Sequence, residues 1–126
     1  MASKGRPFKT IEVDGWEVLV GKGDAENDRL TFEVAEPRDF WLHVAHVPGS
    51  HVVIRNPDEL PAPPKEILDH AAALAVWHSK ARNAGGKVAV HFCRAGEVSK
   101  RRGAPRGQVQ LRRWDEIKIY PKEMDE

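Results

Sequence analysis

Three histidines, His43, His46 and His51, fall within nine residues, with Asp39 just upstream. Imidazoles grouped this closely are the raw material of a metal site or of proton transfer. Their spacing supports a shared ligand set only weakly. On extended chain His43 and His51 can share a face, but His46 starts the turn between two strands, and Asp39 is the one carboxylate placed to complete a shell. Ser50 next to His51 does not make a nucleophile and base, because adjacent strand residues point to opposite faces, and no Gly-x-Ser-x-Gly elbow is present. Gly21-Lys22-Gly23 lacks the length and the hydroxyl residue of a nucleotide-gripping phosphate loop. The lone Cys93 precedes Arg94, a neighbour that favours thiolate, whereas burial would leave the thiol inert.

The cations are distributed more tellingly than their total. Lys plus Arg number 20 against 19 Asp plus Glu, for a formal charge of +1. From Arg94 to Lys118, however, eight cations face Glu97, Asp115 and Glu116, a net +5 that leaves −4 on the rest of the chain. Lys100-Arg101-Arg102 beside Gly103, followed by Arg106-Gly107, lets backbone approach a polyanion while guanidinium groups pair with phosphate oxygens. Such a patch binds with a steep salt dependence; a solvated charged loop is the ordinary alternative.

Several elements must position these groups. Asp14-Gly15 between Thr10–Val13 and Trp16–Val20 is a hairpin signal, and Asp24 can cap a short helical turn through Asp28. Strands are predicted over Phe40–Ala45 and His51–Arg55, joined through Pro48-Gly49. Asn56–Pro64, with four prolines in nine residues, is a connector. A single long helix follows, from about Pro64 to Ala84, with Ile67, Leu68, Ala71, Ala72, Ala75 and Val76 at helical spacing and Gly85-Gly86 as its stop. Val88–Phe92, Gln108–Leu111 and Glu116–Tyr120 complete the strands, and the tail from Pro121 is expected to fray.

The period-two alternation sorts two faces. Phe40, Leu42, Val44, Val52, Ile54, Val88, Val90, Phe92, Val109, Leu111, Ile117 and Ile119 form the apolar face that the helix covers. Trp41, His43, His51, Arg55, His91, Cys93, Gln108, Gln110, Lys118 and Tyr120 fall on the other, a mixture of rings and hydrogen-bonding groups suited to bases and phosphates, or to plain solvation. Trp41 is the tryptophan whose direction suits an exposed stacking role.

The implied fold is α+β, an antiparallel or mixed sheet with one long helix on its apolar face, and 126 residues suit a single domain ordered from about 8 to 121. Hydrophobic residues at 40% and a mean hydropathy of −0.55 describe a globular chain rather than a disordered one. One cysteine excludes an intramolecular disulfide and points to a reducing, cytoplasmic setting. No apolar stretch reaches spanning length, so no membrane role is expected.

These residues also carry a resemblance. Val20-Gly21-Lys22, Glu26-Asn27-Asp28-Arg29-Leu30-Thr31, Asp39-Phe40-Trp41-Leu42-His43 and Pro48-Gly49-Ser50-His51-Val52-Val53-Ile54-Arg55 resemble the RNA-binding domain of the NFACT family. So do the Ala-rich helix running to Ser79-Lys80-Ala81-Arg82, the Val88–Phe92 strand, and Val98-Ser99-Lys100 with Gly103-Ala104 and Gly107. The likeness runs from about Trp16 to Pro121; it departs at Gly23-Asp24, where the family pattern has Asn after Gly-Lys. Multidomain members carry this module beside other domains in factors that bind large ribosomal subunits with stalled nascent chains. The resemblance implies a stand-alone RNA-binding form, with tRNA or ribosomal RNA as partner and a link to ribosome-associated quality control. It implies RNA contact at Lys22, Asn27, Trp41, His43, Ser50, His51, Arg55, Lys100 and Gly103; charge adds Arg101, Arg102 and Arg106. No catalytic residue, metal or cofactor is assigned. The alternative is an RNA-processing or RNA-modifying enzyme built on His43, His46 and His51.

Overall fold

The computed structural model describes residues 6–121, so Met124 and the rest of the 122–126 tail expected to fray lie outside the described residues. The chain opens with the expected hairpin, β1 (Phe8–Val13) and β2 (Trp16–Gly21). Its turn holds Asp14 at φ 49° and Gly15 at φ 86°, the positive angles that an Asp-Gly pair tolerates. A six-residue helix, α1 (Asp24–Arg29), runs on into a π-helical turn at Leu30–Val34. Then come β3 (Phe40–Val44), β4 (Val52–Ile54), α2 (Lys65–Trp77), β5 (Val88–Arg94), a 3-10 turn at Ala95–Glu97, β6 (Val98–Ser99), β7 (Gln110–Leu111) and β8 (Asp115–Ile119).

The fold is α+β with two α-helices among the described residues, and the sheet is antiparallel at every pairing, which settles the choice between antiparallel and mixed. Six strands run in the order β1-β2-β4-β3-β5-β8. α2 lies on one face over Val18, Val20, Phe40, Leu42, Val44, Val52, Ile54 and Val90. Ala71, Ala72 and Ala75 are fully buried there, and side chains this small let the helix backbone come close to the sheet.

Two expectations need correction. The helix is not long: it has 13 residues and stops at Trp77, well before Gly85-Gly86. Backbone pairing with the β3–β4 turn captures the following residues, since the Ser50 N–H donates to the His78 carbonyl and the Lys80 N–H to the Pro48 carbonyl, each at 3.0 Å. Gly49 permits this approach; a Cβ there would lie 2.6 Å from the Ser79 Cβ. Gln108–Leu111, for its part, is not a strand of the main sheet. β7 pairs with β6 in a separate two-stranded ribbon, and its Leu111, with Val109 just before it, packs on the second face away from α2.

That ribbon changes the second face of the sheet, which is apolar over much of its width. Leu19, Leu30, Trp41, Val53, Cys93, Ala95 and Val98 form a second buried cluster, with Phe8, Val34, Val109 and Leu111 packed on its margin. Burying each large aliphatic side chain here contributes about 1.5–3 kcal/mol, so α1, the π-turn and the ribbon are stably docked.

Candidate nucleic-acid interface

The Pro48–His51 segment, α1 and the 100–108 loop meet through one chain of hydrogen bonds. Asn27, 2% exposed on α1, accepts from the His51 N–H at 3.0 Å and donates to the Gly49 carbonyl at 3.3 Å. The His51 ring sits 3.3 Å from the Gly107 carbonyl through Nε2 and 2.8 Å from Thr31 Oγ1 through Nδ1. A carbonyl only accepts, so Nε2 carries the proton and Nδ1 accepts from Thr31. Thr31 Oγ1 in turn accepts from Trp41 Nε1 at 3.0 Å. Burial, aided by His43, pushes the His51 pKa down to about 3, and the ring is neutral.

This network corrects the exposed stacking role expected of Trp41. Its ring and that of His51 are both 1% exposed, so neither stacks on a base at the surface. They tie the loop to the core and form part of the lining of the groove described below, and Asn27, nearly as buried, joins the same network. Ser50 donates to the Gly21 carbonyl at 2.7 Å and serves the same junction. His43, His46 and His51 all border one groove, but their rings pack in two separate pairs rather than around a common point. His43 packs on His51 with ring centroids 5.2 Å apart, whereas His46 packs on His91 at 5.7 Å. Among the described residues no group of three or more His, Cys, Asp or Glu is placed to hold a metal ion. Cys93 is buried and its pKa is raised to about 12 by burial first and then by Glu97 and Asp115, so Arg94 does not activate it.

Two expected phosphate contacts are also otherwise engaged. Arg55 Nε lies 3.4 Å from the buried carboxylate of Asp39, and its Nη1 donates to the Val34 carbonyl. Asp39 also accepts from the Glu36 and Asn56 N–H groups, so this carboxylate stabilises the fold rather than serving a site with the histidines. Lys100 Nζ is 3.1 Å from Asp28 and donates to the Pro105 and Gln108 carbonyls. Asp28 accepts from the Gly107 N–H as well. Lys100 therefore closes the base of the loop, while Arg101, Arg102 and Arg106 stand exposed above it with Gly103, at φ 82°, turning the chain between them. Lys22 is exposed at the end of β2.

Under this loop runs a groove of about 520 Å³. His43 and His91 form part of its lining, the turn at His46 to Gly49 flanks it, and Arg106 and Gly107 border it from the loop. The positive loop and the imidazole side thus meet in one depression, as a continuous docking surface requires. His43 is half-buried, and burial lowers its pKa against a hydrogen bond at Gly49 that raises it. Two ring residues belong to this region without a sequence motif to mark them: His91, which lines the groove, and Trp114, which packs on His91. A tryptophan between Arg113 and Asp115 is the signal that was available.

A sheet with a helix on one face and, on the other, a groove topped by exposed guanidinium groups defines a polyanion-binding module. Comparison with known proteins gives the narrower class. The profile of the NFACT protein RNA-binding domain matches residues 6–113, and the chain belongs to that family. It is 37% identical over 119 residues, 94% of its length, to the Rqc2 homolog RqcH of Streptococcus suis, and 39% identical over 75% of its length to that of Bacillus subtilis. Ribosome quality control complex subunit 2 of Saccharomyces cerevisiae is 29% identical over 81% of the chain. The chain spans 21%, 16% and 10% of these relatives' own lengths. The solved C-terminal structure of the fibronectin/fibrinogen-binding protein from Streptococcus suis superposes with a TM-score of 0.84 at 35% identity, covering 94% of this chain and 46% of that one. Among the described residues no helix is long and apolar enough to cross a membrane.

Proposed function

We propose that this chain is an RNA-binding module of ribosome-associated quality control, docking on tRNA or ribosomal RNA at the large ribosomal subunit in the cytoplasm. Arg101, Arg102 and Arg106 hold phosphates, and the groove beneath them receives the nucleotides. His43 lines the binding groove and Lys22 adds charge at its periphery. Asn27, Ser50, His51, Trp41, Arg55 and Lys100 act by holding the loop and turn in place. The whole 126-residue chain serves as one binding domain.

The observation that carries this reading is the division of labour among the cations. Lys100 is spent inside the loop on Asp28, and that pairing leaves three exposed arginines on a braced scaffold. Replacing Arg101, Arg102 and Arg106 together by Ala should lower affinity for tRNA or ribosomal RNA fragments. It should also reduce the slope of log K against log salt by about 2–3, roughly 0.7–0.9 for each phosphate released. The thermal midpoint should hardly move, because none of the three is buried. Unchanged affinity and unchanged slope would overturn the assignment.

A further inference from the structure

The second face of the sheet is covered over Leu19, Val53 and Cys93 but exposed at Trp114, Glu116 and Lys118 along the β8 edge. There Trp114 is 48% exposed, a large ring left out of both apolar clusters. It does not stand alone. The His91 ring centroid lies 5.5 Å from that of Trp114, tilted by 47°, and 5.7 Å from that of His46, nearly edge-on at 82°. His46 is held at φ 65°, a left-handed conformation that β-turn geometry imposes on a non-glycine residue only at some cost. The turn thus keeps an imidazole against His91 where a relaxed backbone would direct it elsewhere.

The charges around these rings are arranged by position. Glu116 lies directly across from His91 in the β5–β8 register, which places a carboxylate beside the rings and disfavours phosphate there. The cations lie farther out. Arg106 borders the groove from the loop, and Lys118, opposite Ala89, shares the face of Glu116 two residues along β8. Rings within and cations at the margin match a nucleotide whose base is turned inward and whose phosphate is turned outward. Within a duplex the faces of the bases are already stacked on one another, so such rings would have nothing to receive. The His91 imidazole suits this role as an uncharged ring, because burial, reinforced by His46, lowers its pKa against the opposing effect of Glu116.

Building on the RNA-binding reading above, we propose that this groove and the β8 edge beside it take unpaired nucleotides of single-stranded RNA. Their bases stack on Trp114 and His91, and their phosphates lie along Arg106 and Lys118.

The test is fluorescence anisotropy of the 126-residue chain with a short labelled single-stranded RNA of mixed sequence and with the blunt duplex of equal length. The single strand should bind about tenfold or more tightly than the duplex. Trp114→Ala should weaken single-strand binding about tenfold or more, Trp114→Phe should retain most of it, and duplex binding should not change. Trp114 is exposed, so both variants should keep the parent thermal midpoint, which circular dichroism checks. Equal affinity for the two RNAs, or a single-strand affinity indifferent to Trp114→Ala, overturns the base-stacking inference while leaving RNA binding through the arginines intact. Binding to neither RNA overturns both readings.

Discussion

Acid should loosen this protein through His51. In the folded state the ring is neutral, with Nε2–H pointed at the Gly107 carbonyl and Nδ1 accepting from Thr31, and its pKa is lowered to about 3 from 6.5. Between those two values the unfolded chain binds a proton that the folded chain refuses. The stabilisation is therefore complete above about pH 6.5 and declines as pH falls toward 3, at about 1.4 kcal/mol per pH unit. From pH 7 to pH 5 the loss from this one residue is about 2 kcal/mol, set against a total of about 5–15 kcal/mol for a typical domain. Urea unfolding at the two pH values measures it, with the m-value as a check on two-state behaviour. His51→Gln cannot titrate and should lose about 2 kcal/mol less over the same interval, although it starts from a lower stability. In parallel, the His51 ring resonances should stay unshifted across that range in an NMR titration. A ring that titrates near pH 6, or a variant whose stability falls as steeply as that of the parent, refutes the reasoning.

Three further outcomes are expected. Gly21→Ala sets a Cβ against the Asn27 side-chain amide, which must move away from the His51 N–H it binds; a loss of roughly 2–4 kcal/mol should appear as a lowered urea midpoint. Lys100→Ala removes the Asp28 pair and two carbonyl contacts, at about 1–2 kcal/mol, and should speed tryptic cleavage after Arg101 or Arg102; an unchanged cleavage rate would contradict the loop-closing role. Cys93, with its thiol pushed up to about 12, should resist a disulfide-exchange reagent at neutral pH in the folded protein and react fully once urea unfolds it.

The sequence disclosed local features well and long-range ones poorly. Asp14-Gly15 announced its hairpin because the turn needs only those two residues, and alternation over Phe40–Val44 and Val88–Phe92 identified the face that α2 covers. The stop of α2 was illegible because no residue near Trp77 breaks a helix; the cause is pairing with Pro48–Ser50, nearly thirty positions earlier. Trp41 and His51 fell on the correct face, yet their exposure depended on whether anything covered that face. The cover is assembled from a six-residue helix, a π-turn and two-residue strands, pieces too short for periodicity to reveal. Arg55 and Lys100 read as free cations because their partners, Asp39 and Asp28, are distant in sequence. The exposed arginines were legible for the opposite reason, having no partner among the described residues for distance in sequence to hide.

Asp28 grips the arginine loop at Lys100 and at Gly107, and His51 holds it again at Gly107. A segment fastened at both ends has fewer conformations to surrender when it meets a ligand, so less of the interaction energy goes into ordering it. Affinity can then be tuned through the length of slack between the two fastenings, by changes at Asp28 that never touch the bound molecule, while the guanidinium groups themselves stay the same.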